Sequence, residues 1–221
     1  MVQNIRIFFE KRGRVKYISH LDLMRAMSRA VRHAALPIWY TEGFNPKPYL
    51  SFPLPLPLGQ EGLREAMDLR LLEDLPFDEI ARRLNEALPE GLRVLRVAEP
   101  WYKPGEIAAA AYDVIFTSDN IEEVKRRLDN IEALKAKKMS KQGHRKVEKE
   151  FALAPLIFGG CAATDLRLMD TQAGQEVHMT CRLAAGSEKN LNPALLVEAL
   201  GGAAVRIVRT GLLRADGGAW E

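Results

Sequence analysis

The spacing of apolar residues predicts a first strand over residues 4–10, Asn-Ile-Arg-Ile-Phe-Phe-Glu, rich in β-branched and aromatic side chains, followed by a basic turn built on Gly13. Ser19 then precedes a segment of helical period, with Asp22 three positions on, the signature of an N-cap with an acid in the first turn. At 100° per residue Leu21, Met24, Met27, Val31 and Ala35 fall on one stripe expected to pack against a sheet, while Arg25, Arg29 and Arg32 share a separate arc. Pro37 ends the helix, because the residue before a proline avoids helical angles. Residues 38–60 are rich in Pro and Gly and predict short extended pieces joined by a tight turn at 43–46. A strand near 66–72, a helix over 77–88 behind Pro76 and a strand over 92–98 complete a β-α-β-β-α-β order.

Breakers cluster again in Pro100-Trp-Tyr-Lys-Pro-Gly105, which predicts a linker. Beyond it the same order recurs more weakly. Strands are expected at 109–117, 164–170, 175–184 and 204–214, helices at 120–129 and 192–200, and a basic strand or loop region at 134–153. The expected fold class is therefore α+β, with two ferredoxin-like (βαββαβ) domains in tandem: residues 1–100, a linker at 101–108, and residues 109–221. At 221 residues the chain has room for two domains of ordinary size.

Charge sharpens this picture. The formal net charge of +3 is unevenly spread. Residues 1–50 carry nine Lys and Arg against Glu10, Asp22 and Glu42, and residues 135–149 carry seven against Glu148, so each stretch has a net charge of +6 and the remainder −9. Segregation of this kind points to an anionic partner, with a solvated basic loop as the competing explanation. Apolar runs such as 52–58 and 107–111 are far short of the ~20 residues that cross a bilayer, so no membrane partner is expected. Residues 1–10 place a charge inside a short apolar stretch and lack a small-residue cleavage pattern, which predicts no secretory signal and a cytoplasmic location. Cys161 and Cys181 stand alone, outside any C-x-x-C pair, and no two histidines have metal-ligand spacing. No metal or other cofactor is expected, and both cysteines are expected to be reduced thiols of a core or strand.

The candidate chemistry gathers in the first fifty residues. Lys11, Arg12, Arg14 and Lys16 flank the turn that leads to the helix start, and Arg25, Arg29 and Arg32 line the helix side, a set suited to phosphates together with the free N–H groups of the first turn. Tyr17, Tyr40, Phe44 and Tyr49 lie close by in sequence and offer rings on which bases stack. The Gly43-Phe-Asn-Pro46 turn would present Phe44, Asn45 and Lys47, and Lys138, Lys141, Arg145 and Lys146 extend the basic set in the second half. The competing reading pairs the arginines with the acids of the second helix or of a partner protein. His20, at the first helical position, is the candidate for acid–base work, because imidazole titrates near neutrality. Capping is the alternative role for His20. His33 suits a helix C-terminus, His144 lies in the basic run and His178 on a predicted strand.

Lys16-Tyr-Ile-Ser-His-Leu-Asp-Leu-Met-Arg25, Tyr40-Thr-Glu-Gly-Phe-Asn-Pro-Lys-Pro48 and Leu50-Ser-Phe-Pro-Leu-Pro-Leu-Pro-Leu-Gly59 together resemble the signature of the radical-SAM-linked protein family, a domain of unknown function found beside or fused to B12-binding radical-SAM proteins. The resemblance covers residues 5–70 closely and the rest faintly, chiefly at Asn192-Pro193 and Arg209-Thr210. Where that pattern carries a histidine this chain has Lys47, which keeps positive charge but not an acid–base group. The resemblance implies association with a radical-SAM enzyme and a setting of RNA maturation or modification, without a defined activity. His20 on tandem ferredoxin-like domains is also similar to the metal-independent endoribonucleases that process CRISPR RNA. The expected function is an accessory RNA-binding module for tRNA or rRNA, more a binding module than an enzyme. The alternatives are a protein adaptor docking through the Leu-Pro run of 53–58, and a ribonuclease using His20.

Overall fold

The computed structural model describes residues 2–142, 145–165, 170–171, 174–186 and 188–221, with side chains described throughout except at 138–142, 145–149, 160, 162–165, 170–171 and 174. Among the described residues the protein is mixed α/β, with four α-helices and a large mixed sheet. Two compact units divide the chain: residues 1–107 with 209–221, and residues 108–208. The last residues thus belong to the first unit, whereas the local pattern placed everything from 109 onward in the second.

In the first unit β1 (Gln3–Lys11) leads through a 3-10 turn at Gly13–Tyr17 to α1 (His20–His33), then to a two-residue strand β2 (Leu50–Ser51), β3 (Glu61–Leu71), α2 (Phe77–Ala87) and β4 (Leu92–Ala98). β1 lies antiparallel between β3 and β4, with Ile7 opposite Met67 on one side and Val97 on the other. β2 pairs with β3 through Leu50 and Ser51, and Ile38 bridges Leu71. Alternation sends Ile5, Ile7, Phe9, Met67, Leu69, Leu71 and Val97 to one face, where they bury against Leu23, Met27, Ala30 and Val31 of α1 and Ile80 and Leu84 of α2.

α1 begins as its sequence dictates. The Ser19 hydroxyl accepts the Asp22 backbone N–H at 3.1 Å and donates to the Asp22 carboxylate at 2.7 Å. The buried stripe differs from the predicted one. It runs through Leu23, Met27, Ala30, Val31 and Ala34, while Leu21 is 64% exposed and Ala35 is exposed with φ of 48°. The apolar arc of this helix is broad, and the side that meets the sheet is the one where small Ala30 and Ala34 permit close approach.

The second unit contains β5 (Ala109–Ser118), α3 (Ile121–Asp129), the hairpin of β6 (Lys135–Gln142) and β7 (Arg145–Ala152), β8 (Ile157–Asp165), β9 (Asp170–Thr171), β10 (Gly174–Ala184) and α4 (Pro193–Leu200). β11 (Ala203–Leu213) gives its first part to this unit and its remainder, from Arg209, to the first. The strand order is β11-β5-β10-β8, with β9 on β10 and the β6-β7 hairpin forming its own small sheet. Asn192 caps α4 by accepting the Ala194 N–H at 3.1 Å, with Pro193 at the first helical position. Gly201 ends α4 at φ 85°, a left-handed angle that glycine adopts without steric penalty. Cys181 is buried on β10 directly opposite Cys161 on β8, and the hydrogen bond with the Cys161 thiol, followed by burial, pushes the Cys181 thiol up.

Candidate nucleic-acid interface

The chain leaves β1 through a turn that displays charge. Arg12 N–H donates to the Gly91 carbonyl at 2.8 Å, and Gly13 takes φ 65°. Gly91, at φ 88°, could not carry a side chain there, since a Cβ would stand 2.7 Å from the Arg12 carbonyl oxygen. Arg12 and Arg14 are exposed, Arg12 lying 3.7 Å from Glu10, and Tyr17 is 69% exposed with the Lys16 ammonium 5.2 Å from its ring centre.

Arg25, Arg29 and Arg32 project from the exposed flank of α1. Arg25 pairs with Asp22 at 3.1 Å and Arg32 Nε donates to the Ser28 carbonyl at 3.3 Å. Among the described residues Arg14, Arg29 and Arg32 make no ion pair with a carboxylate. Two acids of α2, offered above as their competing partners, are engaged on their own helix. Glu79 accepts from Arg82 and Arg83 at 2.7–3.0 Å, which holds its carboxyl down at about 2, and Glu86 accepts from Arg82 at 2.7 Å. Arg29 and His33 instead face a groove of about 400 Å³ shared with Arg83 and Glu86.

Residues 38–49 form a closed loop. Thr41 N–H donates to the Lys47 carbonyl at 2.9 Å, Lys47 N–H donates to the Thr41 hydroxyl at 3.1 Å, and Tyr40 bridges Pro48. Gly43 turns the tip at φ 126°. Phe44 stands fully exposed there, with Asn45 and Lys47 also exposed and Tyr40 41% exposed. Tyr49 has a different role, packing edge-on against Trp39 at 5.6 Å, with both rings on the Arg70 guanidinium at 4.9 and 5.4 Å.

Beneath the helix start lies an ionic cluster that the sequence did not announce. Lys11 is only 2% exposed, its ammonium directed at the carbonyls of Lys16 and Ile18 at 3.5 Å. Burial depresses its proton affinity, the Glu65 carboxylate raises it and Arg209 lowers it further. Lys11 is therefore an interior cation that ties down the turn, in place of the surface phosphate ligand expected. Lys16 is also drawn inward, 3.7 Å from the buried Glu61. Arg209 grips Glu65 with two donors, Nε to Oε1 at 2.9 Å and Nη2 to Oε2, and also donates to the Leu54 carbonyl at 2.8 Å. That last bond anchors the Pro-rich loop from within.

His20 borders this cluster. Its ring meets Phe52 edge-on at 5.1 Å, and Nδ1 is buried without a hydrogen-bond partner among the described residues. Burial, followed by the nearby Lys11 charge, holds its pKa below the ordinary imidazole value. Because the unfolded chain then takes up the proton at higher pH than the folded one, this ring contributes stability that is complete above about pH 6.5 and is lost as pH falls toward the folded midpoint. A proton NMR titration is expected to place the His20 midpoint below the ordinary imidazole value of about 6.5. A His20 midpoint at or above that value would contradict this description.

Lys138, Lys141, Arg145 and Lys146 lie on the hairpin of the second unit, with Lys138 opposite Lys149 and Lys141 opposite Lys146 in backbone register; their side chains lie outside those described. His144 falls outside the described residues. His178 Nε2 lies 2.7 Å from Glu176 on its own strand. Among the described residues no three His, Cys, Asp or Glu side chains group so as to share a metal ion.

The first unit is thus a mixed α/β body whose leading turn, first helix and loop tip expose arginines and aromatic rings, with an ionic cluster buried behind the turn and the helix start. Residues 4–193 match the family described as an uncharacterized protein conserved in bacteria, DUF2344, and the chain belongs to that family. No curated protein matches it. The family description names no activity and makes no link to radical-SAM proteins. Among the described residues no helix is long and apolar enough to cross a membrane.

Proposed function

We propose that this protein is an accessory RNA-binding module that holds tRNA or rRNA for a radical-SAM enzyme. The observation that carries the reading is the state of the cations of the first unit: Arg14, Arg29 and Arg32 are exposed and have no carboxylate partner among the described residues, and the rings of Tyr17 and Phe44 in the same unit are exposed as well. Exposed arginines without carboxylate partners suit phosphates, and freely exposed rings suit unstacked bases, an interaction worth about 1–3 kcal/mol per base. The strand order β11-β5-β10-β8 is also the fourth-first-third-second order of a ferredoxin-like domain, with the β6-β7 hairpin inserted, and β4-β1-β3-β2 gives the same order in the first unit. This supports reading the chain as two such domains in tandem. The partnership with a radical-SAM enzyme rests on the resemblance over residues 5–70.

A second reading, docking on that enzyme without RNA, draws on the exposure of Tyr17, Leu21 and Leu58 around the backbone bond from Gly59 N–H to the Lys16 carbonyl. The Leu-Pro run itself gives less surface than its composition promised, because Leu56 is buried and Leu54 is half-buried. Gel shift of a total tRNA pool at two salt concentrations separates the readings. A shift that weakens as salt rises is expected, because each neutralised phosphate releases counterions; an adaptor gives no shift at either concentration.

A further inference from the structure

The face of the first sheet turned away from α1 and α2 carries a second set of charges. Side chains alternate along a strand, so with Ile7, Phe9 and Met67 committed to the helices, Arg6 and Phe8 of β1 point the other way. Phe8 is paired with Arg96 on β4 and with Ala66 on β3, which puts Arg96 and Arg64, two residues before Ala66, on that same face. Arg6 is neutralised there: Nε and Nη2 hold the Asp68 carboxylate at 2.7 and 2.9 Å, and its guanidinium lies 3.9 Å from the Trp220 ring centre.

Arg64 and Arg96 are different. They stand on the strands flanking β1 and share a single carboxylate, that of Glu221, at 2.8 and 3.2 Å through its two oxygens. Their side chains are 62% and 51% exposed, so this is an open site. Two guanidinium groups thus share one side-chain carboxylate. A carboxylate spanning two guanidinium groups occupies the positions that two oxygens of a phosphate take. Beside them Phe8, whose ring lies 4.5 Å from the Arg96 guanidinium, and the partly exposed Leu95 complete a cavity of about 340 Å³.

We propose that Arg64 and Arg96 form an oxyanion clamp on this sheet face, taken here by the Glu221 side chain, and that a phosphodiester of single-stranded RNA enters by displacing that carboxylate. The inference rests on the RNA-binding reading and adds to it a second contact surface and a built-in competitor. Only the Glu221 side chain must turn away, because the residue before it is fixed: Trp220 is 1% exposed, its indole N–H donates to the Lys103 carbonyl at 3.0 Å and its backbone N–H to the Leu212 carbonyl at 2.9 Å. An RNA backbone fits better than an acidic peptide because each phosphodiester brings two free oxygens to meet both guanidinium groups and Leu95, 45% exposed, gives the attached sugar an apolar wall, while Phe8, 5% exposed under Arg96, forms the floor.

The test is fluorescence anisotropy of a labelled single-stranded oligoribonucleotide, with inorganic tripolyphosphate as a second probe, on the full chain and the variants E221Q, R64Q/R96Q and R25Q/R29Q/R32Q. E221Q is expected to bind the oligonucleotide roughly two- to fivefold more tightly, the range an exposed ion pair is worth. R64Q/R96Q should bind more weakly, with the slope of log K against log salt reduced by about 0.7 for one lost phosphate contact. If E221Q and R64Q/R96Q bind the oligonucleotide as the parent does while R25Q/R29Q/R32Q loses it, the clamp is wrong and the α1 surface stands. If the two clamp variants change tripolyphosphate binding alone, the site takes free polyphosphate and the RNA assignment is overturned. If the parent binds no oligonucleotide, the clamp proposal and the RNA-binding reading fail together.

Discussion

Arg209→Met is expected to lower the free energy of unfolding by about 3–5 kcal/mol, the usual cost of removing one partner of a buried ion pair. Both side chains are nearly inaccessible, at 2% for Arg209 and 4% for Glu65. Without the guanidinium, Glu65 is left with Lys11 as its cation and the Leu54 carbonyl loses a donor. A buried charge and a partly buried carbonyl are then both under-satisfied, which is why the effect should exceed that of truncating a side chain of similar size. The paired change Glu65→Met with Arg209→Met should cost less than either single change, because apolar groups of similar volume replace an ion pair without stranding a charge. Urea unfolding followed by circular dichroism measures all three. A loss below about 1 kcal/mol for Arg209→Met would show the pair to be dispensable, as surface pairs commonly are.

Trp220→Ala should cost about 3–5 kcal/mol, the range for deleting a large buried ring. The indole is 1% exposed, covers the Arg6 guanidinium and donates to the Lys103 carbonyl. Its removal opens a cavity over the centre of the sheet and withdraws the cation–π contact. Trp220→Phe keeps part of the ring and should retain part of the stability. The same change is expected to loosen Glu221 from Arg64 and Arg96, so tryptic cleavage after Arg64 or Arg96 should be faster in Trp220→Ala than in the parent under folding conditions. Equal stability of parent and Trp220→Ala would mean that the C-terminal segment does not hold the sheet.

Much of the local structure could be read from the chain. Ser19 with Asp22, Pro76, and Asn192-Pro193 mark helix starts by chemistry that acts within one turn, and these helices begin where those residues place them. The periodic stretch 92–98 gave its strand for the same reason. What escaped depends on contacts far apart in sequence. Lys11 and Lys16 read as surface cations because Glu10 is the one acid near them in the chain and it lies by Arg12; their partners Glu65 and Glu61 lie about fifty residues on, and Arg209 comes from the far end. The return of 209–221 to the first unit has no local signal, although the large apolar Trp220 within a polar tail hinted at burial.

The candidate site divides the same way. Arg25, Arg29 and Arg32 were readable as an exposed arc because one helix sets their spacing. Arg64 and Arg96 were missed because their meeting depends on strand register, with β1 between them. One signal was present. Arg6 alternates with Ile5 and Ile7, which already marks a sheet with a polar second face.

On the RNA-binding reading, the exposed arginines of α1 hold the RNA backbone. The measurement that reaches it most directly is the salt dependence of tRNA affinity for the parent chain and for R25Q/R29Q/R32Q. Loss of three phosphate contacts predicts weaker binding and a slope of log K against log salt flatter by about 2, at roughly 0.7 per contact. Equal affinity and equal slope in a variant that melts like the parent would contradict it.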